Sequence, residues 1–140
     1  MNIALIAHDK KKELIIQFCT AYKSVLEKHS LCGTATTAKL VSESTGLSVR
    51  PFLSGAQGGV QQIAARIAYN EIDMMLFFRD PGGARPHEPD VSTVLNLCDS
   101  HNIPVATNIA TAEVLILGLA RGDMDWRDIV RDEKTSENII

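Results

Sequence analysis

Four polar segments of this chain carry side chains that bind anions or move protons: His8-Asp9, Thr34-Ala35-Thr36-Thr37, Ser54-Gly55-Ala56-Gln57-Gly58-Gly59, and Asp80 followed by Arg85-Pro86-His87-Glu88-Pro89-Asp90. His8, His87, Asp9, Asp80 and Asp90 form a titratable set. Carboxylates and imidazoles gathered in a crevice suit proton transfer, because crowding and burial move their pKa values toward the working pH. The hydroxyl loop and the glycine loop each precede a helical pattern, and a helix N-terminus offers unpaired N–H groups and a positive dipole end to an anion. Lys10, Lys11 and Lys12 open another helix, where each opposes the dipole by a few tenths to about 1 kcal/mol. Two of them read as solvated and one as turned toward a bound phosphate.

The spacing also limits the chemistry. Neither a Gly-Lys-Ser/Thr loop nor a G-x-G-x-x-G fingerprint is present, so a small phosphoester or inorganic phosphate suits the loops better than a nucleotide. No H-x-x-x-H or H-E-x-x-H spacing occurs, and no metal site is expected. Each residue has a plainer reading as well: Asp9 and Asp90 as N-caps, Asp80 as an Asx-turn former before Pro81, His87 as a loop donor, and Thr36, Thr37 and Ser54 as helix caps. Their joint placement at one sheet edge is what favours a site. His29 and His101 end helices, where a cation is favourable without any function.

Five apolar runs, Asn2–Ala7, Leu31–Gly33, Leu47–Leu53, Met74–Phe78 and Pro104–Ala106, alternate with segments of helical period. That alternation predicts a three-layer α/β fold: an open, doubly wound, mainly parallel five-stranded sheet whose ligands bind beyond the carboxyl ends of the strands. The first helix is expected to run about twenty residues through Leu14, Phe18, Tyr22 and Leu26, capped by Asp9. A short helix around Leu40 and Val41 is expected to stop at Gly46. A third carries Val60, Ile63, Ala64, Ile67 and Ala68, a fourth carries Val91, Val94, Leu95 and Cys98 behind Asp90, and a fifth runs from about Thr111 to Arg121 before Gly122.

Composition fits this picture. A chain of 140 residues with 45% hydrophobic and 22% charged residues is expected to form one domain over residues 1–122, with 123–140 as its C-terminal tail. A net charge of −3 and 5% aromatics supply neither a basic stripe nor stacking platforms, so no nucleic-acid partner is expected. No apolar stretch approaches the ~18–20 residues of a membrane span, and Met1–Ala7 lacks the basic flank of a signal peptide. No membrane partner and a cytoplasmic location are the expectations. Three cysteines without C-x-x-C spacing, Cys19, Cys32 and Cys98, read as reduced core residues. In the tail, Trp126, Ile129 and Val130 pack either on a neighbouring copy or on the chain itself.

Ile3-Ala4-Leu5-Ile6-Ala7-His8-Asp9, the loop Thr34–Thr37, Leu53-Ser54-Gly55 with Gly58-Gly59, Asp80-Pro81, Pro86-His87-Glu88-Pro89-Asp90-Val91 and Ile103-Pro104-Val105-Ala106-Thr107-Asn108 together resemble the methylglyoxal synthase family. The likeness covers about residues 2–120. It implies a methylglyoxal-synthase-like, flavodoxin-like architecture and a metal-free, cofactor-free lyase, usually a homohexamer, that converts dihydroxyacetone phosphate into methylglyoxal and phosphate. By the same resemblance, Lys12, Thr34, Ala35, Thr36, Thr37, Ser54 and Gly55 hold the phosphate. His8 and His87 contact substrate oxygens, Asp9 joins the binding set, and Asp80 and Asp90 complete the polar site. The sequence departs from the pattern where the family has a proton-shuttling aspartate after the paired glycines: the residue here is Val60. Ala35 and Ala38 replace glycines usual in the threonine loop, and Pro81-Gly82 replaces Pro-Leu. With Val60 in place, the implied catalytic set is Asp90 helped by His87 and Asp80; the competing reading is a non-catalytic regulatory protein that holds a phosphometabolite.

Overall fold

The computed structural model describes residues 1–54, 57–83 and 91–130. Strand β1 (Asn2–Ala7) leads through a 3-10 turn (Asp9–Lys11) into helix α1 (Lys12–Ala21) and a single helical turn, α2 (Lys23–Leu26). Then follow β2 (Ser30–Gly33), α3 (Ala35–Thr45), β3 (Val49–Pro51), α4 (Gly59–Ala68), β4 (Met74–Phe78), α5 (Val91–Ser100), β5 (Val105–Ala106) and α6 (Ile109–Arg121). The five strands lie in the order β3-β2-β1-β4-β5, and every pairing is parallel.

Side chains alternate across a strand, and the two faces of this sheet bury separate clusters. Ile3, Leu5, Ala7, Met74, Leu76 and Phe78 pack with α1, α3 and α6, while Ala4, Ile6, Cys32, Met75 and Phe77 pack with α4 and α5. All five residues of β4 are at most 1% exposed, which is why that strand reads as an unbroken apolar run rather than an alternating one. Burying each such side chain contributes roughly 1.5–3 kcal/mol. Gly33 permits the tight approach of β2 to β1, since a Cβ there would stand 2.6 Å from the Leu5 carbonyl oxygen.

Several sequence expectations need correction at element ends. The first helix is divided: Tyr22 (φ −108°, ψ 23°) leaves the helical region between α1 and α2. Apolar spacing reports the buried face and is blind to a one-residue break. Asp9 does not cap; it is the first residue of the 3-10 turn, His8 holds the cap position without a side-chain cap bond, and Asp9 instead faces Lys12 at 3.4 Å. The third run yields only a three-residue edge strand, where Pro51 is tolerated because no central ladder needs its missing N–H. The helix around Leu40 runs eleven residues and does end at Gly46, in the left-handed region at φ 78°. Helix α6 begins two residues before Thr111, because the Asn108 side chain accepts the Thr111 N–H at 3.1 Å and caps it. Asp90, expected to cap α5, lies outside the described residues.

All three cysteines are buried and free. Burial pushes the Cys19 and Cys98 thiols up to about 12 and Cys32 to about 11. Among the described residues no helix is long and apolar enough to cross a membrane.

Beyond α6 the chain is clasped to the amino edge of the sheet by one side chain. Arg127, 6% exposed, donates from Nε to Asp73 Oδ1 (3.3 Å) and from its terminal nitrogens to the carbonyl of Asn102 (2.8 Å) and that of Ile72 (3.4 Å). Asp73, fully buried, accepts the Asn2 N–H at 2.7 Å and so ties the same clasp to β1. Removing one partner of a buried pair strands the other charge, at a cost of about 3–5 kcal/mol. Arg127→Met is therefore expected to lower unfolding free energy by that amount in urea titration; a loss below about 1 kcal/mol would contradict the clasp.

Candidate active site

The winding reverses between β1 and β4. Helices α1 and α3 cover one face, α4 and α5 the other, so the connections leaving β1 and β4 diverge and open a crevice at the carboxyl edge. His8 follows β1 at this point and Asp80 lies two residues beyond β4. His8 is 3% exposed and donates its backbone N–H to the Phe78 carbonyl (3.0 Å); its ring sits edge-on to Phe77 with centroids 5.3 Å apart. The Asp80 backbone N–H donates to His8 Nδ1 at 2.9 Å. A ring nitrogen that accepts carries no proton, so the neutral imidazole bears its hydrogen on Nε2 and presents a donor.

Asp80 is held by the turn that follows it. Its Oδ1 accepts the Gly82 N–H (2.9 Å) and its carbonyl the Gly83 N–H (3.1 Å), the Asx-turn expected as the plainer reading. Its other oxygen faces Lys10 Nζ at 4.0 Å. Of the three lysines, Lys12 is the one turned in: its side chain is 18% exposed, and Nζ donates to the Ala7 carbonyl at 2.6 Å with Asp9 Oδ1 at 3.4 Å. That places an ammonium beside the end of β1.

The two helix N-termini are arranged differently from the sequence expectation. Neither Thr36 nor Thr37 caps α3; Thr34 occupies the cap position without a side-chain cap bond. Thr34 and Thr37 are buried with their hydroxyls 3.5 Å apart, and Thr36 is exposed. The Ala35 N–H is taken by the Leu53 carbonyl (3.3 Å) and the Ala38 N–H by Thr34 (2.8 Å), which among the described residues leaves the amides of Thr36 and Thr37 as the orphan donors of this helix. Ser54 does not cap α4 either; Gly58, at φ 103°, does. The Ser54 carbonyl accepts from Gln57 (3.0 Å) and Gly59 (2.9 Å). Two amides of the glycine loop are thus already engaged, and among the described residues the Val60 and Gln61 amides, in the first turn of α4, have no backbone acceptor.

One residue escaped sequence reasoning. Gln62 Oε1 accepts the Leu53 N–H at 2.7 Å, while the Leu53 carbonyl receives Ala35, so Leu53 ties α4 to the start of α3. Gly59 is pressed against the same carbonyl, where a Cβ would stand 1.9 Å from the oxygen. A glutamine one turn into a helix looks like any solvated polar residue, and no spacing rule flags it. Val60 is 6% exposed and packs with Ile63, Ile67 and Phe77, as its apolar stripe predicted. Gly55, His87 and Asp90 lie outside the described residues.

A cavity of about 340 Å³ adjoins this edge, lined by Lys11, Phe78, Arg79, Pro81, Thr107 and Asn108. A larger groove of about 630 Å³ beside β3, with Arg50, Phe52 and Arg66, holds no such gathering of proton-transfer groups among the described residues. Among those residues no group of three or more histidines, cysteines and carboxylates stands close enough to hold a metal ion.

Fold and site together define a doubly wound, all-parallel α/β protein whose switch-point crevice offers a buried imidazole, an ammonium and open helix amides to a small anion. Comparison with known proteins narrows this further. The family model described as MGS-like domain matches residues 14–107. A methylglyoxal synthase of Caldicellulosiruptor saccharolyticus is 65% identical over 130 residues, 93% of this chain and 92% of the relative. One from Oceanobacillus iheyensis is 58% identical over 137 residues, 98% of both chains. The crystal structure of methylglyoxal synthase from Elizabethkingia anophelis NUHP1 superposes with a TM-score of 0.80 at 41% identity, covering 82% of this chain and 76% of that one. The chain belongs to the MGS-like family, as its motifs indicated.

The His8 geometry is directly measurable. Two-bond proton–nitrogen correlation spectra are expected to show Nδ1 unprotonated and Nε2 protonated in the neutral ring; the opposite tautomer would contradict the Asp80 contact.

Proposed function

We propose that this chain binds dihydroxyacetone phosphate in the switch-point crevice and converts it to methylglyoxal and inorganic phosphate, without a cofactor, in the cytoplasm and as a homohexamer. The observation that carries the reading is the match at up to 65% identity to proteins named methylglyoxal synthase, over a crevice that keeps His8, Lys12 and the α3 amides. In this scheme Lys12, the Thr34–Thr37 loop with Ala35, and Ser54 with Gly55 receive the phosphate, with Asp9 orienting Lys12. A carboxylate removes a proton from the hydroxymethyl carbon beside the carbonyl. The charge moves onto the carbonyl oxygen, where Nε2–H of His8 and the ring of His87 act as donors. The hydroxyl on the deprotonated carbon then gives up its proton as it becomes the aldehyde, the electron pair expels phosphate by breaking the C–O bond, and the resulting enolate takes up a proton on its methylene carbon to give methylglyoxal.

Val60 alters the weight of each step. Valine accepts no proton, so Asp90 takes the role of base, aided by Asp80 and His87, and turnover is slower than with a carboxylate at position 60. A second reading is favoured by one observation: Val60 is buried in an apolar cluster, which suits a regulatory protein that binds a phosphometabolite and transforms nothing.

Methylglyoxal release from dihydroxyacetone phosphate separates these readings. A positioned base contributes about 10²–10⁴-fold, so Val60→Asp is expected to raise a measurable basal rate by that range. Equal rates in both proteins would remove the significance assigned to position 60. No turnover in either, together with thermal stabilisation by phosphate, selects the regulatory reading, and no phosphate-dependent shift contradicts both.

A further inference from the structure

Leu53 stands between two helix starts, those of α3 and α4. Its N–H donates to Gln62 Oε1 at 2.7 Å, and its carbonyl accepts the Ala35 N–H at 3.3 Å. Immediately before it, Phe52 makes the last contact with β2 by donating its N–H to the Gly33 carbonyl at 2.8 Å. Immediately after it, Ser54 turns its carbonyl to the amides of Gln57 and Gly59. At Leu53 the strand has ended, and the partner for its N–H comes from a side chain instead of a neighbouring strand. Gln62 is itself fixed in the first turn of α4, where its N–H donates to the Gly58 carbonyl at 3.1 Å. Gly59 lets the Leu53 carbonyl lie against that turn, since a Cβ there would stand 1.9 Å from the oxygen.

The Gln62–Leu53 bond is exposed, so water replaces a lost acceptor at little cost to the fold. Holding a long polar side chain in one rotamer costs entropy all the same. The bond contributes placement more than stability. We propose, resting on the reading of this crevice as a phosphate site, that Gln62 is a positioning residue. It sets the first turn of α3 against the glycine loop, so that the Thr36 and Thr37 amides and the Ser54 hydroxyl meet one phosphate group. With the Gln62 oxygen gone, the Leu53 peptide turns, the Ala35 bond loosens with it, and the two sets of donors reach the anion out of register. Gln62 acts only through Leu53, and donors that grip the phosphate alike in ground state and transition state govern KM more than kcat.

Titration calorimetry with inorganic phosphate, amide hydrogen exchange and the kinetics of methylglyoxal release test this on the full chain. Gln62→Met keeps the length of the side chain and removes the acceptor, whereas Gln62→Glu keeps an acceptor oxygen. Gln62→Met is expected to weaken phosphate binding about tenfold and to raise KM for dihydroxyacetone phosphate by a similar factor, with a smaller change in kcat. It is also expected to speed exchange at the Leu53 and Ala35 amides and to leave β1 and β4 protected. Gln62→Glu restores slow exchange at both amides; rescue is read there because the added charge itself opposes an anion. Unchanged phosphate affinity in Gln62→Met, or exchange at Ala35 that ignores the substitution, overturns the proposal and leaves the phosphate reading standing. Fast exchange throughout β1 and β4, or a loss confined to kcat, assigns Gln62 a general structural role and overturns it too. A wild-type chain that takes up no phosphate overturns the site reading and the proposal together. The phosphate and exchange measurements need no turnover, so a chain that binds without catalysing still decides the role of Gln62.

Discussion

The parallel pairing of β1 with β4 is the contact on which everything else depends. It joins the two halves of the winding, and its ladder does not stop at Ala7 and Phe78: the His8 N–H continues to the Phe78 carbonyl, and the Asp80 N–H donates to the imidazole of His8. A side-chain ring thus takes over where a strand would have supplied a carbonyl. The backbone that builds the sheet therefore also sets the tautomer of the residue best placed to meet a substrate.

Around that junction the crevice divides its tasks between elements. The α1–α3 side supplies positive charge and open amides through Lys12, Thr36 and Thr37, and it stands independently of position 60. The α4 side supplies Val60 and the Gln62–Leu53 link, so the same helix start that carries an apolar residue also braces the neighbouring loop. The two sides are joined through Leu53, which receives the Ala35 N–H on its carbonyl and donates its own N–H to Gln62.

Much of this was legible in the residues. Burial on both faces makes β4 an unbroken apolar run, and alternating runs and helical stripes imply a parallel, doubly wound sheet. The polar residues just after each run marked the edge where His8 follows β1 and Thr34 follows β2, with Lys12 turned back to the Ala7 carbonyl. Element ends were less legible. Tyr22 interrupts a helix without disturbing its apolar face, and Asp9 has a cap's chemistry yet sits one residue inside the turn beside Lys12. Strand order and the Leu53 bridge were illegible in principle, because a hydrogen bond from Gln62 to a distant main chain leaves no periodic trace.

The buried thiols carry a last implication. Electrophiles in solution attack accessible thiolates, not buried thiols. Cys19, Cys32 and Cys98 are all enclosed, and burial holds their thiols protonated well above neutral pH, at about 12, 11 and 12. Packing of the core thus doubles as chemical protection of all three thiols, since enclosure keeps each of them from any electrophile in solution.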